Sequence, residues 1–528
     1  MRCSVYNIGL ASTALLAVTS SNMAYAQTAA PATEQSVVES MATELRAMRA
    51  RIDALESEVT TLRAKETATA VTPATTATPT WNDDSTRTPT EARTAAVTSR
   101  TGDDAPLERR ILPASLQIDR GQFPVETFGQ IQYDFSYVAN PNNAINTTNL
   151  GYNGTARRLI FGFRGGLPGG FRYNLEFMLA RELVDYEDVT LSWEPEGKPY
   201  SIKIGNHYPF TGLENLTSNK RNSFVERSAA NDAFNFNRRI GASVGYANKR
   251  GDVFLNAGLF NGFINNSAAN TDYVIAARGV YAPEVLGGRI HLGASYQYRR
   301  TQAQDQTFLY RARPYTQGTN IRLIGTGPAT TTGAFAPGIA TRGDQVFSTE
   351  VAGIFGPVHF VSEFNYVPVA AIQPNEVLVN RRATTGTRLA SDPEFFAIYG
   401  EVGYFLTGET RGYRLGRFFR TPIRKSVTEG GIGAIQIVGR VDYLDLSDIV
   451  GGTAPGVVNG VLNGGIQTGY QVALNWYPTD FLRFTAQYSR VEIEGGPNAG
   501  QVIPTSTRAL FDRKFGTDAL VFRAQIEF

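Results

Sequence analysis

From about residue 120 to the end of the chain, runs of roughly ten residues alternate apolar with polar side chains. The clearest run is the last, in which apolar side chains occupy every second position from Leu520 to Phe528. Each run ends at Gly, Pro, Asn or Asp, as strands do at turns. The pattern predicts about sixteen strands, which begin near residues 126, 156, 170, 186, 200, 237, 252, 271, 289, 346, 357, 394, 432, 464, 480 and 518.

The connections between these runs alternate in length. Segments after odd-numbered strands are long (139–155, 207–236, 301–345, 368–392, 447–463 and 493–517), whereas most of those after even-numbered strands are short (166–169, 195–199, 355–357 and 478–479). Long outer loops and short periplasmic turns are typical of outer-membrane barrels. One exception is 407–431, which is long where a short turn is expected. Either one strand is miscounted, or a periplasmic segment folds back into the lumen.

Composition favours a membrane barrel over a soluble sheet protein. In water the apolar face of each strand would need a second sheet, whereas in a bilayer lipid covers it and the polar face lines a pore. The mean hydropathy is −0.20 because alternation hides the apolar surface from window averages. We therefore predict an all-β fold, a sixteen-stranded antiparallel transmembrane β-barrel over 111–528. The net charge of +2 is not that of a nucleic-acid-binding protein.

The first 26 residues have the order of a secretory signal peptide. Arg2 precedes an apolar run from Ile8 to Val18, and Ala24-Tyr25-Ala26 supplies a small-x-small cleavage site. The alternative, a transmembrane anchor, would need a longer apolar run. Cys3, the single cysteine, lies inside this segment, so the mature chain has no disulfide.

Residues 27–66 carry a heptad pattern. Apolar side chains recur at spacings of three and four residues at Val38, Met41, Leu45, Met48, Ile52, Leu55, Val59 and Leu62. The flanking pairs Glu44/Arg49, Arg51/Glu56 and Glu58/Arg63 are opposite in sign, which favours parallel self-association in a periplasmic coiled coil. A single amphipathic helix lying on its own barrel is the alternative, and the seam does not distinguish a dimer from a trimer. Residues 67–110 are rich in Thr, Ala, Pro and Asp and predict a disordered linker.

Several motifs spread over the barrel resemble one family. They are Arg157-Arg158, Gly205-Asn-His-Tyr-Pro-Phe-Thr-Gly-Leu-Glu214, Phe224-Val-Glu-Arg-Ser228, Phe405-Leu-Thr-Gly-Glu-Thr-Arg411, Leu474-Asn-Trp-Tyr477 and Arg523-Ala-Gln-Ile-Glu-Phe528. The chain is similar in these segments to the phosphate-selective porin O and P family. The resemblance implies a homotrimer in the outer membrane, inward-folded segments that narrow the lumen, and basic residues that draw anions through it. It also implies that 407–431 folds inward.

The strand phases separate lumen-facing charges from lipid-facing positions. The bases predicted to face the lumen are Arg158, Arg164, Arg172, Lys203, Arg239, Arg278, Arg289, Arg299, Arg440, Arg483 and Arg523, and the acids are Asp134, Glu176, Asp188, Glu350, Glu363, Glu401, Asp442 and Glu527. The two sets nearly balance, so a wall of salt bridges is the alternative to an anion-attracting surface. Selectivity would then depend on the constriction.

Two connecting segments supply bases for a constriction. The loop after the fifth strand has Lys220, Arg221 and Arg227 against Glu214, Glu226 and Asp232, and the 407–431 segment has Arg411, Arg414, Arg417, Arg420, Arg424 and Lys425 against Glu409 and Glu429. An Arg guanidinium group can donate two parallel N–H hydrogen bonds to one oxyanion. Bases of this kind therefore suit small anions such as phosphate. The candidate pore-lining residues are Arg158, Lys203, Lys220, Arg221, Arg227, Arg239, Arg411 and Arg440. Alternatively, these bases face the periplasm or lipopolysaccharide phosphates.

Three functions compete. We expect a channel for small solutes, anion-preferring, with phosphate selectivity as the narrower hypothesis and a general porin as the alternative. An enzyme needs a base for its nucleophile, and His207, His291 and His359 sit in no Ser or Asp motif. We expect no catalytic residues, cofactor or metal. The third alternative is a structural protein that tethers the outer membrane to the cell wall through the coiled coil.

Overall fold

The computed structural model of the protein describes residues 125–141, 150–180, 184–262, 271–301, 307–327, 338–376 and 386–528. The predicted signal peptide, coiled coil with its seam from Val38 to Leu62, and linker lie outside the described residues. They stay predictions.

The described residues form a closed β-barrel of sixteen strands. They are β1 Val125–Val138, β2 Gly151–Leu167, β3 Phe171–Met178, β4 Asp185–Trp193, β5 Tyr200–His207, β6 Arg239–Ala247, β7 Val253–Phe260, β8 Thr271–Tyr281, β9 Gly288–Thr301, β10 Ile339–Phe355, β11 Val358–Ala371, β12 Glu394–Phe405, β13 Ala434–Asp445, β14 Ile466–Thr479, β15 Leu482–Glu494 and β16 Lys514–Glu527. Each strand pairs antiparallel with its neighbours in the sequence. The predicted fold of this region is confirmed.

The predicted strand starts need three corrections. β10 begins at Ile339 rather than near 346, β2 at Gly151 rather than near 156, and β16 at Lys514 rather than near 518. In each case the strand continues beyond its clearly alternating part, because backbone pairing needs no apolar side chain. The ladder of β10 with β11 also shifts register between Thr341 and Gly343, which hides its start from a period-two pattern.

The barrel closes where β1 pairs with β16, from Gln130 opposite Glu527 to Val138 opposite Ala519. The Gly129 N–H donates to the Phe528 carbonyl oxygen at 2.8 Å. A Cβ atom at Gly129 would lie 2.3 Å from the Phe528 ring. A larger residue at 129 would therefore push that ring out of the seam.

The two faces of the wall differ as the alternation predicts. Outward side chains such as Phe135 and Phe522 are exposed, while the inward Gln132 and Arg523 are buried. An apolar outer surface suits lipid contact, and the polar inner surface suits water and hydrogen-bonded segments. Among the described residues no helix is long and apolar enough to cross a membrane.

The connections separate the barrel into a long-loop end and a short-turn end. Within the described residues the loops hold three short helices, α1 Leu213–Leu216, α2 Ala229–Ala233 and α3 Ala499–Val502, and 3₁₀ turns at Val427–Glu429 and Leu510–Asp512. Short strands occur at Glu284–Val285, Thr307–Phe308, Arg311–Ala312, Ile324–Gly325, Gly412–Arg414, Arg417–Phe419, Asp448–Ile449, Val457–Val458 and Val461–Leu462. The long 406–433 connection lies at the short-turn end, so the predicted exception is real.

An apolar cluster fills part of the barrel toward the long-loop end. Phe234 of the segment after β5 packs with Tyr310 and Leu323 of the β9–β10 connection and with the inward Phe395 of β12. These side chains are almost fully buried. The cluster fixes the loops against the inner wall through apolar burial.

Candidate functional site: the constricted lumen

Residues 208–238, here called the constriction loop, cross the lumen from β5. The backbone N–H of Leu213 donates to the Glu363 carboxylate on β11 at 2.9 Å. The N–H of Ala229 donates to the Asp442 carboxylate on β13 at 2.8 Å. Both carboxylates are inward side chains, so the loop is held against the wall opposite its own strands.

A β-bulge turns two adjacent bases of β2 inward. The register of β1 with β2 shifts after Gln132, so that Arg157 and Arg158 both face the lumen. Arg157 donates two hydrogen bonds to Glu226 of the constriction loop at 2.6 and 3.0 Å, and Arg523 adds a third at 3.1 Å. Burial would raise the pKa of the Glu226 carboxyl, but the Arg157 guanidinium outweighs it and holds that pKa below its usual range.

Arg440 joins the constriction loop to the barrel wall. Its guanidinium lies 2.5 Å from the Glu214 carboxylate of the loop and 2.7 Å from the Glu401 carboxylate of β12. It also lies 4.5 Å from the Phe224 ring centroid and 4.7 Å from that of Tyr399. Arg440 is almost fully buried, so it acts as a structural clamp in this structure.

The 406–433 segment folds into the lumen. Its β-hairpin, Gly412–Phe419, is here called the inward hairpin. The Tyr413 hydroxyl and the His291 Nδ1 atom of β9 form a hydrogen bond of 2.6 Å, and Arg278 of β8 donates to the Gly416 carbonyl oxygen at 2.9 Å. Of the two explanations left open by the sequence, inward folding is correct, and no strand was miscounted there.

Arg411 connects the inward hairpin to the constriction loop. It donates to the Ser223 hydroxyl at 2.9 Å and to the Arg221 carbonyl oxygen at 3.1 Å. It also pairs with the Glu401 carboxylate at 3.1 Å. The loop and the hairpin therefore form one hydrogen-bonded obstruction inside the barrel.

A basic cluster surrounds one carboxylate near the short-turn end. Glu527 accepts two hydrogen bonds from Arg221, at 3.0 and 2.8 Å, and one from Arg420 at 2.6 Å. The Lys220 ammonium lies 5.7 Å from the Phe128 ring centroid. Among the described residues it has no carboxylate within 4.0 Å. Positive charge therefore exceeds negative charge at this point.

An open pocket lies beside this cluster and is here called the basic pocket. It contains about 400 Å³ of free space, part of it continuous with solvent. Its lining residues are Lys220, Arg221, Phe405, Arg411, Phe419, Arg420, Thr421, Ile423, Gln436, Tyr477, Thr479 and Asp480. Loop, hairpin and wall thus contribute to one cavity.

The structure brings only some of the eight candidate bases together. Lys220, Arg221 and Arg411 line the basic pocket, and Arg440 shares Glu401 with Arg411. Arg227 donates to loop carbonyl oxygens and lies 5.7 Å from the Tyr208 ring centroid. Lys203 and Arg239 lie on the β5–β6 pair, and Arg158 lies on β2.

Exposure divides the same set in two. Arg158, Arg239, Arg411 and Arg440 are buried, whereas Lys203, Lys220, Arg221 and Arg227 are partly exposed. Burial shields these four guanidinium groups from a solute, and Arg411 also gives hydrogen bonds to Ser223, Glu401 and the Arg221 carbonyl oxygen. The role of all eight as anion contacts stays a prediction.

Sequence reasoning missed Arg157 because strict alternation turns it toward lipid. The consecutive pair Arg157-Arg158 was the available signal, since two adjacent bases on one lumen-facing surface require a bulge. It also missed the aromatic lining from Phe419 and Tyr477. Among the described residues no cluster of three His, Cys, Asp or Glu side chains could hold a metal ion.

Comparison with known proteins identifies the family. The model of the phosphate-selective porin O and P family matches residues 125–510. The chain is 36% identical over 392 residues to an uncharacterised protein of Caulobacter vibrioides, covering 72% of this chain and 71% of that one. It is 24% identical over 396 residues to Porin O of Pseudomonas aeruginosa, covering 71% and 84%. Outer-membrane OmpT of Vibrio cholerae is a structural neighbour at 10% identity and TM-score 0.44, covering 78% of this chain and all of that chain.

The chain belongs to the phosphate-selective porin O and P family. Membership identifies the barrel as an outer-membrane porin, which forms a channel.

Proposed function

We propose that the channel prefers anions and that small oxyanions, phosphate among them, are its solutes. The observation that carries the proposal is a group of partly exposed bases on the inner surface with no carboxylate within 4.0 Å among the described residues: Lys203, Lys220 and Arg227. Such charges attract a permeating anion most where the lumen is narrow and partly desolvated.

Two acids of the same region face backbone N–H groups. Glu363 accepts from the N–H of Leu213 and of Glu214, and Asp442 accepts from the N–H of Ala229. The two negative charges therefore interact with backbone N–H groups of the constriction loop. Both carboxylates are buried and do not face a solute in the lumen. The uncompensated bases Lys203, Lys220 and Arg227, by contrast, are partly exposed.

Phosphate is the narrower part of the proposal. Arg221 and Arg420 donate three N–H hydrogen bonds to the Glu527 carboxylate. Arginine side chains bind oxyanions with the same kind of hydrogen bonds. The description of the family names phosphate as the selected solute, and one of the similar proteins, Porin O, is a member named in that description. This chemistry supports an oxyanion as the solute, of which phosphate is one example.

A general porin is the second candidate, and the ion pairs of the wall favour it. Arg278 pairs with Glu350 at 2.6 Å and Arg523 with Asp134 at 2.6 Å, and all four side chains are buried. The opposite charges of an ion pair largely cancel for a solute farther away, so these pairs produce little net electric field in the lumen.

Planar-bilayer conductance of the full chain under a KCl gradient separates the two candidates. Anion preference predicts a reversal potential directed toward that of chloride, and an oxyanion site predicts that added phosphate reduces the chloride current. An unselective reversal potential without phosphate block would leave a general porin. A cation-directed potential would contradict the proposal outright.

The assembly and the N-terminal segment are proposals of the same kind. We expect a homotrimer, lipid and lipopolysaccharide around the barrel, and a periplasmic coiled coil that strengthens self-association or contacts the cell wall. Removal of residues 27–66 tests the last point. A tether predicts a loss of envelope integrity on removal, while a purely conducting role predicts unchanged integrity and conductance.

A further inference from the structure

The basic pocket has a lining that a site for inorganic ions does not need. Beside its four bases and one acid, Asp480, it presents the aromatic rings of Phe419 and Tyr477 and the side chain of Ile423, all three partly exposed. A small inorganic oxyanion gains only from donors and charges, and apolar walls near it remove water without replacing its hydrogen bonds. The apolar half of this lining therefore points to a second part of the solute.

The bases and the apolar side chains come from different elements. Lys220 and Arg221 belong to the constriction loop, Phe419 to the inward hairpin, and Tyr477 to β14. Arg221 and Arg420 share the Glu527 carboxylate, so their N–H groups are partly occupied. Lys220 has three ammonium donors and no carboxylate within 4.0 Å among the described residues, which makes it the available cation.

We propose that the basic pocket binds organic anions in which a carboxylate is attached to an apolar body. The carboxylate meets Lys220 at the edge of the Arg221–Glu527–Arg420 cluster, and the apolar body lies against Phe419, Ile423 and Tyr477. Burial of apolar surface there favours such solutes over inorganic ions of the same charge. The inference rests on the anion preference proposed above and specifies the solute class.

The probes that test it are formate and benzoate, which carry the same charge at neutral pH and differ in the apolar body. In planar bilayers that hold the full chain in KCl, each is added in increasing concentration and the concentration that halves the chloride current is measured. Benzoate is expected to reach half-block at about one tenth of the formate concentration, a modest gain for one ring face removed from water.

Two variants assign the effect to the pocket. Phe419→Ser is expected to raise the half-blocking concentration of benzoate severalfold and leave that of formate unchanged, because it removes an apolar contact only. Lys220→Gln is expected to weaken both probes by similar factors. Ile423→Ser repeats the apolar test if Phe419→Ser fails to fold. Lys249→Gln is the matched control, since Lys249 is an exposed lysine of the β6–β7 turn and not part of the pocket lining.

The other outcomes are decisive in different ways. Equal block by formate and benzoate, or block by inorganic phosphate alone, overturns the organic-anion site and leaves the anion preference intact when the KCl reversal potential is chloride-directed. A cation-directed reversal potential overturns the proposed function and this inference with it. Preferential block by benzoate that persists in the Phe419→Ser and Ile423→Ser channels overturns the location.

Discussion

Replacement of Arg440 separates a structural base from a solute-contacting one. Arg440 is among the residues that the sequence suggested for anion contact, yet its guanidinium is enclosed by two carboxylates and two rings. In Arg440→Gln the Glu214 carboxylate loses the one base within 4.0 Å among the described residues. Glu401 keeps Arg411 at 3.1 Å.

The size of the effect follows from these contacts. Removal of one partner of a buried ion pair costs about 3 to 5 kcal/mol of unfolding free energy, and the lower end applies because Glu401 remains paired. Loss of two ring contacts adds about 0.5 to 1 kcal/mol each. We expect the free energy of unfolding of Arg440→Gln to fall by about 4 to 5 kcal/mol in total.

Urea titration of the channel in detergent micelles, followed by tryptophan fluorescence, measures this change. Arg440→Lys is the matched control variant. It keeps the positive charge but lacks the planar guanidinium group with its paired N–H donors, so it should recover only part of the lost unfolding free energy. An Arg440→Gln channel of wild-type stability with a shifted KCl reversal potential would refute the reasoning, since it would make Arg440 a solute contact.

Three further predictions concern the loop, the hairpin and the charge balance. Lys220→Gln is expected to shift the KCl reversal potential away from that of chloride with a stability change below about 0.5 kcal/mol, because Lys220 is partly exposed; an unchanged potential would contradict this. Tyr413→Phe removes the hydrogen bond to His291 and should lower the unfolding free energy by about 1 kcal/mol in the same titration, with noisier single-channel current. The depressed pKa of Glu226 means that its stabilising contribution is present above the unfolded carboxyl pKa of about 4.3 and is lost as the pH falls further. Urea titrations at pH 3 to 7 should therefore show stability falling below about pH 4, with a flatter profile in Glu226→Gln.

The barrel could be predicted from the sequence because its wall obeys a local rule. Lipid on one side and polar lumen on the other impose a period of two, so inward positions such as Arg278, Arg299 and Arg523 follow from the pattern alone. The rule fails where the backbone departs from it. The bulge at Arg157 is one such place, and the early start of β10 at Ile339 is another.

The interior of the lumen could not be predicted in the same way. Arg221 meets Glu527 across 306 residues of chain, and Arg440 meets Glu214 across 226. These ion pairs depend on how two long connections fold across the barrel. The sequence of those connections has no periodic pattern that predicts this folding. The sequence therefore indicated which bases face inward and left open which of them a carboxylate neutralises.

The seam between β1 and β16 has a consequence for how the channel is made. It joins side chains such as Gln132 and Gln525, which are 393 residues apart. Until β16 arrives, the first strand has an unpaired edge, and an exposed edge recruits other chains into aggregates. A chain that lacks Lys514–Glu527 therefore cannot form this seam, and the edges of β1 and β15 that β16 covers would stay unpaired.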